Sequence, residues 1–259
     1  MSAGFTRRQA LTWLSALPFA PLLPGVAHAI GPGAKVRLAQ FLYRGGRAVP
    51  RASALGRLAW EVEKRTAVDV ALDPAQMRIT DRDLFRHPML YMGGDSPFAP
   101  WSGDEVARLR RYLIHGGFLL VDSAEAQAGG PFDQGIRQLC KELFPKAPLA
   151  RLPPEHTISR SFYLLGRPVG RVATVSHLEG ITQDGRTLLV YCQNDLAGAW
   201  ARDNFGQWEH SVYPGGSKQR ELAMRWGVNL VMYALCLDYK ADQVHIPFIL
   251  KRRRWRVTP

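Results

Sequence analysis

The chain has 259 residues, 46% of them hydrophobic, and carries 34 Lys and Arg against 22 Asp and Glu, a formal net charge of +12. This composition excludes a polar disordered chain, and a chain of this length builds a core without disulfide staples. The three cysteines, Cys140, Cys192 and Cys236, cannot all pair and lack metal-ligand spacing such as C-x-x-C.

The first segment reads as an export signal. Arg7 and Arg8 precede an apolar run from Ala10 to Leu23, and Ala27-His28-Ala29 supplies a small-residue cleavage site. Pro18, Pro21 and Pro24 interrupt the run, which is too short and too broken for a membrane span. The paired arginines followed by Gln9, Ala10 and Leu11 are similar to a twin-arginine signal. The expectation is a signal peptide over residues 1–29 and a periplasmic or otherwise exported protein. An uncleaved signal anchor is the other reading, and it would make the protein membrane-associated.

Residues 30–259 read as one α/β domain. "VRLAQFLY" (36–43) has the pattern of a strand. Leu55, Leu58, Ala59 and Val62 after Pro50 lie at helical spacing. "VDVAL" (68–72) and "PMLYMGG" (88–94) read as strands. Ser102 and Glu105 form a capping box ahead of a helix that Gly116-Gly117 stops, and "FLLVD" follows as a strand. Asp133 is expected to cap the next helix, with Ile136, Leu139, Cys140 and Leu143 inward. Residues 149–184 are rich in Pro, Gly and Arg and read as an insertion with a small antiparallel element, including "SFYLL" and "RVATVSHLEGI". "LLVYC" (188–192) is a further buried strand, and residues 219–239 form a long helix whose Arg220, Glu221, Arg225 and Asn229 argue against a membrane span.

Alternating strands and helices predict a mostly parallel sheet between helical layers. Continuously apolar strands predict that both faces are covered. In such sheets ligands bind outside the carboxyl ends of the strands. Those ends carry "YRGG" (43–46), "GGDS" (93–96), "DSAE" (122–125) and "CQNDLAGAW" (192–200). Gly93, Gly94, Asp95, Asp122, Ser123, Asn194, Asp195 and Trp200 are therefore the candidate ligand-binding residues, although turn chemistry alone also explains Gly, Asp and Asn there. The tail "LKRRRWRV", within residues 244–259, reads as a plain basic tail or as a contact for anionic lipid headgroups. An exported protein meets little nucleic acid, so none is expected as a partner.

The runs "HPMLYMGGDSPFAPWSGDEVARLRRYLIHGGFLLVDS", "FDQGIRQLCKELFP", "LPPEHTISRSFYLL", "VYCQNDLAGAW" and "GVNLVMYAL" carry a resemblance. Over about residues 35–255 the chain resembles a bacterial family designated domain of unknown function 4159. That family is grouped with the class I glutamine amidotransferase-like superfamily, which implies a flavodoxin-like three-layer sandwich. The family has no established activity. It is met in exported or membrane-anchored proteins, in some cases beside MoxR-type ATPases and von Willebrand A-domain proteins, which implies envelope proteins as partners.

Amidotransferase chemistry needs a cysteine on a strand-to-helix elbow with a histidine to activate it. Here "LLVDSAEA" offers Asp122 and Ser123 instead, without a G-x-S-x-G frame. Glutaminase activity is therefore not expected. Two catalytic arrangements remain to be weighed. Ser123 as nucleophile with His156 as base, oriented by Asp122 or Asp195, would make a hydrolase. Asp122, Asp195, Glu125 and His156 would suit a divalent metal, although no cofactor is required by the sequence. Against both stands a binding module of the cell envelope, with the strand-end loops as its site. Trp200, and Phe205, Trp208 and Tyr213 in the loop "DNFGQWEHSVYPGG", offer aromatic faces for a sugar-like ligand or a protein.

Overall fold

The computed structural model describes residues 35–236. The expected signal over 1–29 and the basic tail over 244–259 lie outside the described residues. Seven strands, β1 (Ala39–Leu42), β2 (Ala75–Arg78), β3 (Met89–Gly94), β4 (Phe118–Ser123), β5 (Ala150–Arg151), β6 (Glu179–Gln183) and β7 (Arg186–Cys192), form one sheet in the order β2-β1-β3-β4-β7-β6-β5. β2, β1, β3, β4 and β7 run parallel, and β6 and β5 continue the sheet antiparallel. Among the described residues the α-helices are α1 (Ala54–Arg65), α2 (Gly103–Ile114), α3 (Pro131–Leu143), the short α4 (Leu196–Trp200) and α5 (Gly216–Leu235). The result is a flavodoxin-like α/β sandwich, as the alternation of elements predicts.

The side-chain alternation of the strands divides the core in two. On one face Leu38, Met89, Tyr91, Phe118, Leu120, Val190 and Cys192 pack against α1, α4 and α5. On the other face Phe41, Leu90, Met92, Leu119, Val121 and Tyr191 pack against α2 and α3. β3 and β4 are buried along their whole length, which is why their sequences are continuously apolar.

Helix starts follow local chemistry. Ser102 accepts from the Glu105 N–H while the Glu105 carboxylate takes the Ser102 N–H, so the capping box at α2 is complete. At α3 the expected Asp133 cap is not used. Gly130 is the N-cap and Pro131 opens the helix, where a missing N–H leaves no bond unmade. The exposed backbone N–H groups of Phe132 and Asp133 are taken by the Glu125 carboxylate. Between β6 and β7, Asp184 and Gly185 both have positive φ (51° and 75°), the pair of left-handed residues that a tight hairpin turn needs.

Three expected strands differ, and of "RVATVSHLEGI" only Glu179–Ile181 lies in one, β6. "VDVAL" provides only a single bridge, Val36 to Val70, and the edge strand is β2 just beyond it. "SFYLL" follows a 3-10 turn (Thr157–Arg160) and is not a strand. No helix among the described residues is long and apolar enough to cross a membrane. Cys140 and Cys192 are buried thiols.

Candidate functional site

The parallel order places the carboxyl ends of β1, β3, β4 and β7 side by side, and pairing puts Gly93 opposite Asp122, Gly94 opposite Ser123, and Asp122 opposite Cys192. The crevice where such a fold usually binds ligands lies between β1 and β3. Here the loops after β1 and β3 pack on each other, and a cavity of about 340 Å³ stays open beside them, lined by Phe41, Tyr43, Arg44, Ala99 and Trp101. Gly45 and Gly46, both at positive φ, run against the backbone of Pro97 and Ala99 so tightly that neither has room for a Cβ. Ala99 N–H donates to the Arg44 carbonyl, the Arg47 N–H to the Ser96 hydroxyl, and the Tyr43 hydroxyl is shared between the Gly93 and Arg47 carbonyls. Asp95 pairs with Arg47 on the surface at 3.1 Å.

Asp122 and Asp195, 73 positions apart in the sequence, come together at the ends of β4 and β7, and both are buried. Asp122 accepts from the N–H groups of Leu196 (2.9 Å) and Ala197 (2.8 Å) and from the Tyr91 hydroxyl (3.0 Å). Asp195 adopts a left-handed backbone and caps α4 through the Gly198 N–H at 2.9 Å. Arg51 grips it with two bonds of 3.2 and 2.8 Å, and Arg171 adds a third. Burial first, and then the Asp195 charge, push the Asp122 carboxyl up to about 7, against the pull of its three donors. Four donors fill the acceptor positions of Asp195. Two carboxylates and two guanidiniums leave the cluster with little net charge when all are ionised.

The remaining candidates divide among other places. Ser123 follows Asp122 but faces α3, where it meets Glu125 at 3.3 Å from that residue's N–H. His156 accepts the Ile158 N–H on Nδ1 and reaches the Thr187 hydroxyl with Nε2 at 2.9 Å, so both ring nitrogens are held within the fold. Thr187 begins the run whose other end is Cys192, so His156 stands about 17 Å along β7 from the Asp pair at ~3.3 Å per residue. The expected serine triad is therefore not assembled. The expected metal set is dispersed too: Glu125 caps α3, His156 is at the far end of β7, and among the described residues no group of three His, Cys, Asp or Glu is placed to hold a metal ion. Cys192 is buried and its thiol is pushed well up by that burial, so it is no nucleophile either.

Asn194 and Trp200 also turn inward. Asn194 holds the insertion through the Val175 N–H and the carbonyls of Val175 and Pro168. Trp200 is fully buried, with its indole N–H on the Ala223 carbonyl, so it offers no aromatic wall to a ligand. The surface aromatics come from the loop after α4 instead. Phe205 is 89% exposed and Tyr213 75%. Trp208 lies between the guanidiniums of Arg202 (3.8 Å) and Arg220 (4.2 Å). That loop is anchored to the carboxyl edge by Ser53, whose hydroxyl donates to Glu209 and accepts the Arg202 N–H. His210 beside Glu209 is lowered by its burial and by Arg51.

Arg51, Arg171 and Tyr91 escape sequence reading. No motif joins Arg51 to a carboxylate 144 positions away, and Tyr91 lies inside an apolar strand.

The family described as domain of unknown function DUF4159 matches residues 37–235, and the chain belongs to that family. No curated protein matches the sequence.

Proposed function

We propose that this member of the family is an exported binding module of the cell envelope, built on a glutamine amidotransferase-like fold without amidotransferase catalysis. The observation that carries this reading is the commitment of the strand-end polar groups to the chain itself. Asp195 has every acceptor position filled, Asp122 is held by three donors, and Ser123 and His156 are on different faces and at different ends. The carboxyl edge instead presents the loop after α4, with Phe205 and Tyr213 exposed beside the clamped Trp208. Exposed aromatics on a well-anchored loop are the residues that dominate protein contacts. A protein of the envelope is the partner this surface fits.

A photo-crosslinking residue at Phe205 or Tyr213, with a control at exposed Leu72 on the opposite side of α1, tests this in cells. Discrete protein adducts at 205 and 213 and none at 72 support the reading. Equal labelling at all three positions, or none at any, refutes it. The export half is tested by Arg7→Lys with Arg8→Lys. Loss of periplasmic delivery is expected, and unchanged delivery removes the twin-arginine assignment.

A further inference from the structure

A cleft lies between the insertion and α5. It encloses about 430 Å³, within the range of small-molecule sites. Its apolar side is made by Leu152, Ile158, Leu178 and Trp226, all packed into the α5-side core. The Trp226 indole N–H donates to the Arg167 carbonyl at 3.3 Å, which ties the floor of the cleft to its rim.

The polar side is cationic and unfinished. Arg151 and Arg167 line the cleft, and among the described residues neither has a carboxylate partner. The neighbouring cations are all engaged: Arg137 with Asp133 and Glu179, Arg171 with Asp195, Arg225 with Glu221. Glu179, the carboxylate whose field reaches His177, is held by Arg137 and Gln193. His177 also lines the cleft, and its Nδ1 is shielded from solvent with no hydrogen-bond partner. His156, the other histidine of the cleft, has both nitrogens committed.

We propose that this cleft binds a phosphate monoester with a flat apolar body. The dianion would lie between Arg151 and Arg167, and the body would lie against Trp226 and Leu178. Two unpaired guanidiniums match a dianion better than a single carboxylate charge, and Arg geometry suits phosphate oxygens. None of these residues belongs to the Asp122–Asp195 cluster or to the loop after α4, so the proposal does not rest on the envelope-contact reading.

The probes are phenyl phosphate, inorganic phosphate, phenylacetate and benzyl alcohol, titrated into the full chain by calorimetry and by NMR of the Trp226 indole N–H and the His177 ring. Phenyl phosphate should bind at least about tenfold tighter than each of the other three and move both resonances. Arg151→Glu with Arg167→Glu should weaken it at least about tenfold with an unchanged urea midpoint, because neither side chain holds the fold. Should the double variant lose stability, the single Arg151→Gln and Arg167→Gln variants carry the same comparison without charge reversal. Equal binding of benzyl alcohol or of phenylacetate overturns the proposal. So does unchanged affinity in a folded variant, or no saturable binding of phenyl phosphate into the millimolar range.

Discussion

Asp195→Ala should be among the most damaging single substitutions in the chain. The carboxylate is fully buried, while the side chains of Arg51 and Arg171 are 13% and 24% exposed. Removing one partner of a buried ion pair costs about 3–5 kcal/mol, because the charges left behind are desolvated and unpaired. The partial exposure of both arginines lets water reach them and brings that figure to about 3 kcal/mol. Loss of the acceptor for the Gly198 N–H adds about 1 kcal/mol, as for any lost helix cap. Alanine at φ 53° adds about another 1 kcal/mol, since a Cβ disfavours the left-handed region. Together the loss is about 5 kcal/mol, or roughly 10–20 °C in Tm for a domain of this size. Asp195→Asn keeps an acceptor for Gly198 and tolerates the left-handed backbone, so it should lose only about 3 kcal/mol. Urea unfolding of the three proteins at neutral pH, with equal m-values, reads both the size and the order. If both variants fall within about 1 kcal/mol of the parent, the ion cluster does not hold the fold, and Asp195 returns as a candidate for ligand chemistry.

Asp122 gives stability a pH dependence of defined sign. Its carboxyl rises from near 4 in the unfolded chain to about 7 when folded, so its stabilising contribution is complete below the lower value and is lost as pH rises through the upper one. His177 and His210 are lowered by burial and oppose it below their unfolded value of about 6.5, so the measurement is the difference in urea midpoint between the parent and Asp122→Asn across pH 5–8. A difference that does not change with pH refutes the assignment. Gly94→Ala should cost at least about 1–3 kcal/mol, because the new methyl would collide with the Phe132 ring and stand 2.6 Å from the Tyr43 hydroxyl oxygen; a neutral thermal melt contradicts this. Trp208→Ala removes the ring between Arg202 and Arg220 and should lower stability by about 1–2 kcal/mol while exposing residues 201–216 to limited proteolysis, and unchanged cleavage kinetics would show that the loop is held without it.

Much of the sheet was legible because its central strands are short apolar runs with helices between them. "FLLV" and "LLVY" read as strands covered on both faces, and they are β4 and β7. β2 was not legible. It is an edge strand paired only with β1, and its residues Ala75–Arg78 alternate between half-buried and exposed, so the more apolar "VDVAL" beside it drew the assignment. "SFYLL" misled for a different reason. Asn229 of α5 accepts the Tyr163 N–H at 2.7 Å and donates to the Tyr163 carbonyl at 2.9 Å, giving that backbone the partners a neighbouring strand would have supplied. A side chain 66 positions away leaves no local pattern to read.

The site shows the same division. The rule that strand ends converge brought Asp122 and Asp195 to one place, because it depends only on strand direction and order. It could not assign them a task, because the task depends on what else arrives there. Ser123 adjoins Asp122 in sequence, yet successive residues of a strand face opposite layers, so this neighbouring pair could not share a catalytic center. Arg51, Arg171 and two backbone N–H groups of α4 then arrive at the carboxylates from three separate segments and complete their hydrogen bonding. Asp195, completed in this way by four donors, stabilises the chain and has no acceptor left for a ligand. The Gly45–Gly46 backbone packs against Pro97 and Ala99 beside them. The recognition we propose is therefore placed on what the loops leave incomplete: exposed aromatic rings after α4, and arginines without a carboxylate partner around the cleft between the insertion and α5.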